Sequence, residues 1–185
     1  MKKMNIKLFA DGADKNGMLE MYKNPYIAGF TTNPTLMKMA GVTDYVSFSK
    51  EILTEIRDKP VSFEVFADEL DDMERQALEI SSWAENVYVK IPITNTKNES
   101  TGGLIKSLSS KGVKLNVTAI FSIEQVRTVA SSLNPDCSSF VSVFAGRIAD
   151  TGHDPMPYMK KALNILEPNS KAELLWASPR EVYNV

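Results

Sequence analysis

Seven short runs rich in β-branched and aromatic residues recur along this chain, and amphipathic stretches with helical spacing separate most of them. The runs cover residues 7–11, 28–32, 62–66, 87–91, 114–121, 140–146 and 172–178. The clearest helical stretches cover 44–57, 69–85, 122–132 and 156–166, and Ser122 with Gln125 forms a capping-box pattern before the third. Strand and helix alternate at intervals of roughly 20–35 residues, which predicts βαβ units and a parallel sheet. The alternative is an antiparallel sheet with one wet face, but antiparallel neighbours are usually joined by short loops.

The alternation of side chains along these runs favours a barrel over an open sheet. Successive strand residues point to opposite faces, and five of the runs have one apolar face, as in Val87, Val89 and Ile91. The other face carries Asp11, Glu64, Lys90, Asn116, Thr118 and Ser142, and the same parity places Ile120 there. A doubly wound sheet is covered by helices and would be apolar on both faces. A TIM-type (β/α) barrel turns one face inward and gathers polar groups at the C-terminal strand ends, so we predict that fold.

The composition restricts the chemistry. The chain has 185 residues and a net charge of −2, with one cysteine, Cys137, and one histidine, His153. We expect residues 1–185 to form one domain, with no nucleic-acid partner because a basic surplus is lacking. We also expect no membrane span and no secretory signal, since no long apolar stretch is visible. A lone cysteine fits a reducing compartment such as the cytoplasm, and a lone histidine excludes a zinc site built from several histidines within one chain.

Lys90 is the residue with the most specific chemistry. It lies in the strongly apolar run 87–91, where an unpaired charge would be costly. Burial favours the neutral form of a lysine amine, and a neutral amine can attack a ketone or aldehyde to form an imine. The protonated imine then acts as an electron sink for cleavage of a neighbouring C–C bond. The alternative is a purely structural ion pair with Glu64 or Asp11, and side-chain parity alone leaves the two readings equally plausible.

Four of the other polar residues on the predicted inner face could take part in chemistry at Lys90. A carboxylate such as Asp11 or Glu64 can take the proton of a substrate hydroxyl, which a retro-aldol cleavage requires. Asn116 and Thr118 could orient water or substrate. Each acid could equally cap a helix or loop, and threonine is common in strands.

Two arginines, Arg147 and Arg180, are predicted on loops after the sixth and seventh strands. A guanidinium group suits bidentate recognition of phosphate. Loop arginines are usually just solvated, but two at equivalent positions of adjacent units favour a phosphosugar anchor.

At GFTTNPT (29–35) and VYVKIP (87–92) the chain resembles the transaldolase family. The resemblance covers nearly the whole chain. In order, its further motifs are LFADG at 8–12, FEVF at 63–66, LNVTAIFS at 115–122, SVFAGR at 142–147 and WASPR at 176–180. It implies a class I aldolase-type barrel that needs no metal or other cofactor.

The resemblance also implies a role for each candidate residue. Lys90 resembles the imine-forming lysine and Asp11 the acid/base for C–C cleavage. Glu64 and Thr118 match the pair that holds the catalytic water. The matches to substrate-contacting positions are Asn33, Asn116 and Ser142, and those to the phosphate-binding arginines are Arg147 and Arg180.

The implied reaction is transfer of a dihydroxyacetone unit in the non-oxidative pentose phosphate pathway. The donor would be fructose 6-phosphate or sedoheptulose 7-phosphate, and the acceptor an aldose phosphate such as erythrose 4-phosphate. A related alternative is fructose-6-phosphate aldolase, which carries Gln and Tyr where this chain has Glu64 and Phe144. A non-catalytic sugar-phosphate-binding barrel is the alternative of another class. Family members tend to form oligomers, so we expect a homo-oligomer.

One feature departs from the family. Only seven strands are evident, whereas the family continues beyond the position of Arg180 with a helix and an eighth strand. A barrel without that strand has two unpaired edges and an open core. Three explanations stand open: a chain shortened at its C-terminus, a partner chain in the gap, or seven strands that close on themselves. We favour the first and expect weak activity if these 185 residues are the whole protein.

Overall fold

Strands and helices alternate along the whole of the structure, a computed structural model that describes residues 6–180. The strands are β1 (Leu8–Asp11), β2 (Ile27–Thr31), β3 (Val61–Glu64), β4 (Val87–Pro92), β5 (Leu115–Ile120), β6 (Ser139–Val143) and β7 (Ala172–Trp176). The helices are α1 (Lys15–Tyr22), α2 (Pro34–Met39), α3 (Tyr45–Glu55), α4 (Leu70–Ser81), α5 (Gly102–Ser110), α6 (Ile123–Ser132), α7 (Ala145–Asp150) and α8 (Met156–Leu166).

The seven strands form one parallel sheet in sequence order, which curls into a partial TIM-type barrel and confirms the predicted fold class. Within residues 6–180, β1 and β7 are the two edges of the sheet. The curl brings the sides of the sheet together. The ring of Phe9 on β1 lies edge-on to Phe140 on β6, with centroids 5.1 Å apart, and the Lys7 amine lies 2.6 Å from the Glu173 carboxylate on β7.

Three aromatic side chains pack against one another on the inner face of the sheet, below the strand ends, and we call this group the aromatic floor. It consists of Phe9, Tyr88 and Phe140, and the last two rings stack with centroids 4.3 Å apart. Each ring lies two residues before a polar residue of the inner face, namely Asp11, Lys90 or Ser142. Because side chains two apart in a strand share a face, the polar residues form a layer directly above the floor.

The outer faces of the strands pack against the helices and form the core, as the parity argument predicts. Val87, Val89 and Ile91 of β4 are all buried, and so are Met73 and Ile80 of the amphipathic helix α4. Full burial of such an aliphatic side chain contributes about 1.5–3 kcal/mol, so this layer holds the curled sheet together.

The fifth strand departs from regular alternation. Ala119 has a positive φ of 58°, and the register between β5 and β6 shifts between Val117 and Ile120. The extra residue turns Ile120 to the outer face, where it pairs with Val143 and is fully buried in the core. The prediction that Ile120 lies on the inner face was therefore wrong, because a β-bulge changes parity and leaves no clear trace in the sequence.

One boundary also differs from the sequence prediction, and one helix, α5, is not among the stretches that the sequence marks most clearly as helical. The sixth strand ends at Val143, and residues 145–150 form helix α7, although the predicted run extends to residue 146. Helix α5 begins at Gly102, and its buried residues Leu104, Ile105 and Leu108 pack on the core. Glycines at its start look like a loop in the sequence, because glycine is a poor helix former and its role depends on tertiary contacts.

Candidate active site

The polar residues of the inner face meet at the C-terminal ends of the strands. The strand register places Glu64 beside Lys90, and Lys90 beside Asn116. Asp11 and Thr31 are the last residues of β1 and β2 and are also register partners. Because register partners in a parallel sheet lie on the same face, the predicted residues of β1, β3, β4, β5 and β6 share one site.

Lys90 occupies the centre of this site. Its Nζ atom donates to the backbone carbonyl of Thr32 at 3.1 Å and lies 3.4 Å from Oε2 of Glu64. Only 12% of the Lys90 side chain is exposed, against 20% for Glu64. The structure thus contains the ion pair that the sequence left open. The pair does not exclude imine chemistry, because a carboxyl group at this distance can exchange protons with the amine.

Glu64 is the acid whose ionisation is most clearly perturbed in the site. Burial raises its pKa above the ordinary value of 4.5, and the nearby charge of Asp11 raises it further. The positive charge of Lys90 opposes this rise without cancelling it. A carboxyl group with a raised pKa can both donate and accept a proton closer to neutral pH, as proton transfers during imine formation require.

Tyr45 on α3 binds the backbone of Glu64, and no pattern in the sequence marks Tyr45 as part of the site. Its hydroxyl donates to the backbone carbonyl of Glu64 at 2.8 Å, and its ring packs edge-on against Phe63 and Trp83. Burial, together with the charge of Glu64, raises the pKa of Tyr45 far above its usual range. The neutral hydroxyl therefore persists as a donor that fixes the end of β3.

Asp11 is oriented by Thr31, a second residue that the sequence analysis did not assign. The Thr31 hydroxyl donates to Oδ1 of Asp11 at 2.9 Å. Asn33 follows on the same segment, but its Oδ1 accepts from the backbone amide of Leu36 at 2.9 Å and caps helix α2. The structure thus places Asn33 beyond the end of β2 with its side-chain oxygen engaged as a helix cap.

Asn116 is held between two serines at the base of the site. Its Nδ2 donates to Oγ of Ser62 at 2.9 Å, and its Oδ1 accepts from Oγ of Ser142 at 2.7 Å. All three residues are buried. The network links β3, β5 and β6 around the strand that carries Lys90, so it fixes the orientation of the Asn116 amide beside that lysine. Parity places Ser62 on the inner face, but only the fold shows that it contacts Asn116.

Thr118 presents a buried hydroxyl to the site. Its Oγ1 atom is inaccessible to solvent and has no hydrogen-bond partner among the residues that the structure describes. A buried hydroxyl left unsatisfied costs about 1–3 kcal/mol. The inner face thus holds a hydrogen-bonding group that the described residues leave unsatisfied.

The two arginines lie beyond the ends of β6 and β7. Arg147 lies on helix α7 and not on a loop, which corrects the sequence prediction, because the helix begins almost directly after β6. Its guanidinium carbon lies 4.8 Å from the centroid of the Phe144 ring. Arg180 donates from Nε to Oδ2 of Asp150 at 2.8 Å. Both arginines are exposed.

Gly146 allows helix α7 and the segment after β7 to approach each other closely. Its backbone amide donates to the carbonyl of Ala177 at 3.4 Å, and a Cβ atom at this position would lie 1.7 Å from the carbonyl oxygen of Ser178. Only a residue without a side chain allows this close approach of two backbones. Helix α7 and the segment that leads to Arg180 are consequently neighbours.

Between residues 6 and 180, no group of three or more His, Cys, Asp or Glu side chains is arranged to hold a metal ion. In the same part of the chain no helix has the length and apolar character of a membrane span. His153 is exposed near Thr151, and Cys137 is buried with its thiol donating to the carbonyl of Val113.

Several known proteins resemble this chain over most of its length. The model of a family described as "Transaldolase/Fructose-6-phosphate aldolase" matches residues 8–185. A "Probable transaldolase" of Dehalococcoides mccartyi is 36% identical over 160 residues, which cover 86% of this chain and 70% of the relative. Proteins of the same name from Methanococcus maripaludis (strain C5) and Clostridium acetobutylicum are each 35% identical over 181 residues, covering 97% of this chain and 80% of each relative.

Proposed function

Because the chain belongs to the transaldolase/fructose-6-phosphate aldolase family, we propose that it is a transaldolase with Lys90 as its imine-forming residue. The substrates would be a ketose phosphate, such as fructose 6-phosphate or sedoheptulose 7-phosphate, and an aldose phosphate acceptor. The observation that supports this most directly is the position of the Lys90 amine, 3.4 Å from Glu64, whose pKa burial raises. An amine and a proton-exchanging acid on one inner face are what imine chemistry requires.

The proposed reaction begins when the neutral Lys90 amine attacks the ketone carbon of the donor. Loss of water forms the imine, and Glu64 would supply and take up the protons of this step, with Thr118 holding the water. Asp11, oriented by Thr31, would accept the proton of the donor hydroxyl as the C–C bond breaks. The electron pair moves into the protonated imine, an aldose phosphate leaves, and the resulting enamine adds to the aldehyde of the acceptor. Asp11 would return its proton to the new hydroxyl group. Water would then hydrolyse the new imine, with Glu64 again exchanging the protons, to release the ketose phosphate product and the Lys90 amine.

Substrate recognition would use the remaining inner-face groups and the arginines. Asn116 lies on β5 beside Lys90, and Ser142 lies one strand further, on β6, where its hydroxyl donates to Asn116. Both would contact the hydroxyl groups of the donor. We assign Asn33 the same role through the part of its side chain that does not cap α2. Arg147 and Arg180 would bind the substrate phosphate, since guanidinium groups match phosphate geometry.

Borohydride trapping tests the proposal. The protein is incubated with fructose 6-phosphate, reduced with sodium borohydride, digested and analysed by mass spectrometry. We expect a covalent adduct on Lys90 in the wild type and none in Lys90→Met. Lys114→Met is the matched control and should be labelled like the wild type, because the Lys114 amine contacts the Glu85 carbonyl just before β5, away from the strand ends. A wild-type protein without an adduct, when a known transaldolase is labelled in parallel, would instead indicate a non-catalytic sugar-phosphate-binding barrel.

The family description names a second activity, fructose-6-phosphate aldolase, which releases free dihydroxyacetone. The two activities differ in their need for an acceptor. We expect turnover of fructose 6-phosphate only when erythrose 4-phosphate is present. Release of glyceraldehyde 3-phosphate at an equal rate without the acceptor would assign the protein to the aldolase branch.

The wider setting follows from the same proposal. We propose that the protein acts in the cytoplasm, in the non-oxidative pentose phosphate pathway, as a homo-oligomer that needs no metal and binds neither nucleic acid nor membranes. Its negative net charge of −2 supports the absence of a nucleic-acid partner. Light scattering coupled to size-exclusion chromatography measures the oligomeric state, and a mass of 20.6 kDa would show a monomer.

A further inference from the structure

Asp150 is a charged residue next to the proposed phosphate site that the mechanism does not use. It is the last residue of α7, and its Oδ2 atom accepts a hydrogen bond from Nε of Arg180 at 2.8 Å. The same helix carries Arg147 three residues earlier. One short helix therefore bears one of the two phosphate-binding arginines and the ion-pair partner of the other.

Asp150 lies where a negative charge is unfavourable, at the C-terminal end of helix α7. The C-terminal end of a helix carries partial negative charge, so an acidic side chain there is unfavourable unless it is paired. Asp150 is in this position and is paired with Arg180. The pairing offsets the unfavourable interaction with the helix dipole.

The two residues are also carried by segments with a fixed spatial relation. Gly146 contacts Ser178 without a side chain between them, and the amide of Ala177 donates to the carbonyl of Val143 at 2.8 Å. The backbones that lead to Asp150 and Arg180 are thereby joined to each other and to β6. A carboxylate on such a frame can hold a guanidinium group in a constant position.

We propose that Asp150 is a positioning residue that fixes the guanidinium plane of Arg180 for the phosphate group of the substrate. An arginine side chain loses much of its rotamer freedom when it is fixed. Asp150 pays part of this entropy loss before the phosphate arrives, because a hydrogen bond to Nε restrains the whole planar group. The inference rests on the proposed function for the identity of the ligand as a phosphorylated sugar.

A role for Asp150 as a competitor of phosphate predicts the opposite change in phosphate affinity. If Asp150 only competed with phosphate for Arg180, its removal would strengthen binding. If it positions Arg180, its removal weakens binding, and only for ligands that carry phosphate. The sign of the change therefore separates the two roles.

The test measures binding by isothermal titration calorimetry with glucitol 6-phosphate, a phosphorylated polyol without a carbonyl group that cannot form an imine. We expect Asp150→Asn to raise its Kd by roughly fivefold, which is the upper range for an exposed ion pair. The weak binding of unphosphorylated glucitol should not change. Asp136→Asn is the matched control, since it removes the same charge from an exposed residue in the loop before β6.

A double-mutant cycle adds a readout that a general structural effect would not produce. In an Arg180→Met background, Asp150→Asn should change the Kd of glucitol 6-phosphate by less than twofold, because its partner is gone. An unchanged or lower Kd in Asp150→Asn alone overturns the inference, as does an equal loss in the Arg180→Met background. So does a wild type that binds glucitol 6-phosphate no better than glucitol.

This outcome is separable from that of the proposed function. The binding assay does not involve Lys90, so failure to trap an adduct would refute the catalytic proposal and leave the calorimetric result valid. Conversely, normal trapping at Lys90 with no coupling between Asp150 and Arg180 would refute only the inference about Asp150.

Discussion

Substitution of Gly146 by alanine tests the close contact that joins α7 to the segment after β7. The added Cβ atom would lie 1.7 Å from the carbonyl oxygen of Ser178, 2.7 Å from its carbonyl carbon and 3.3 Å from Cα of Pro179. Cβ atoms essentially never approach another heavy atom to less than 3.0 Å, so the backbones must separate by more than 1 Å. All three contacted atoms belong to the backbone, and no side-chain rotation can relieve the clash.

The expected magnitude combines two opposing effects. Overpacking of a close contact costs about 1–3 kcal/mol, and a rigid backbone partner places this site at the upper end. Alanine is the better helix former by about 1 kcal/mol, which offsets part of the strain. We therefore expect Gly146→Ala to lower the free energy of unfolding by about 2 kcal/mol.

Gly103→Ala in α5 is the matched control. Nothing lies within 4 Å of a Cβ atom built at Gly103, so only the gain in helix propensity remains. This variant should be unchanged or stabilised by up to about 1 kcal/mol. The same chemical change in two helices is thus expected to have opposite signs.

Urea unfolding followed by circular dichroism measures both free energies, and tryptophan fluorescence reports locally through Trp176 at the end of β7. A shift of about 1 Å in the segment that carries Arg180 should also reduce kcat/KM for phosphorylated substrates by up to about 100-fold. If Gly146→Ala is as stable as Gly103→Ala and keeps full activity, the argument that this contact requires glycine is refuted.

Three further predictions address the site itself. The raised pKa of Glu64 means that the folded protein keeps the Glu64 proton to a higher pH than the unfolded chain does. The free energy of unfolding of the wild type should therefore fall as pH rises from about 4.5, the ordinary value, through the raised folded-state pKa. Glu64→Gln has no such proton and should lack this pH dependence. Urea titrations at several pH values measure this, and a wild-type advantage that grows with pH would contradict it. Asn116→Ala should lower the free energy of unfolding by about 2–4 kcal/mol, since it removes two buried hydrogen bonds and leaves a cavity; a loss below that of an exposed asparagine variant would refute the role of the network with Ser62. In an alkaline spectrophotometric titration, Tyr45 should ionise only on unfolding, because burial raises its pKa. Tyr45→Phe should therefore reduce the late phase by one tyrosine, and an unchanged late phase would contradict this assignment.

Much of the site could be predicted because its determinants are local. A strand has a side-chain period of two, so the letters around Lys90 are enough to place it opposite Val89 and Ile91. The same reasoning correctly grouped Glu64 and Asn116 with Lys90. It failed at Ile120, because the bulge at Ala119 depends on how β5 meets its neighbour.

The supporting residues could not be predicted, because each contacts its partner over a long sequence separation. Thr31 reaches Asp11, Tyr45 reaches the carbonyl of Glu64, and Ser62 reaches Asn116. Threonine, tyrosine and serine are common in strands and helices, and nothing in the local pattern marks these three. Their partners become neighbours only after the sheet has curled.

By itself, the sequence determined the alternation of strands and helices, the polar face that carries Lys90 and the motifs of a transaldolase-like chain. These features follow from the periodicity and chemistry of neighbouring residues. The tertiary structure alone decided that Lys90 lies 3.4 Å from Glu64, and that Gly146 brings Arg180 to Asp150. Such distances depend on strand register, curl and backbone contact, which arise only when segments far apart in the chain pack against one another.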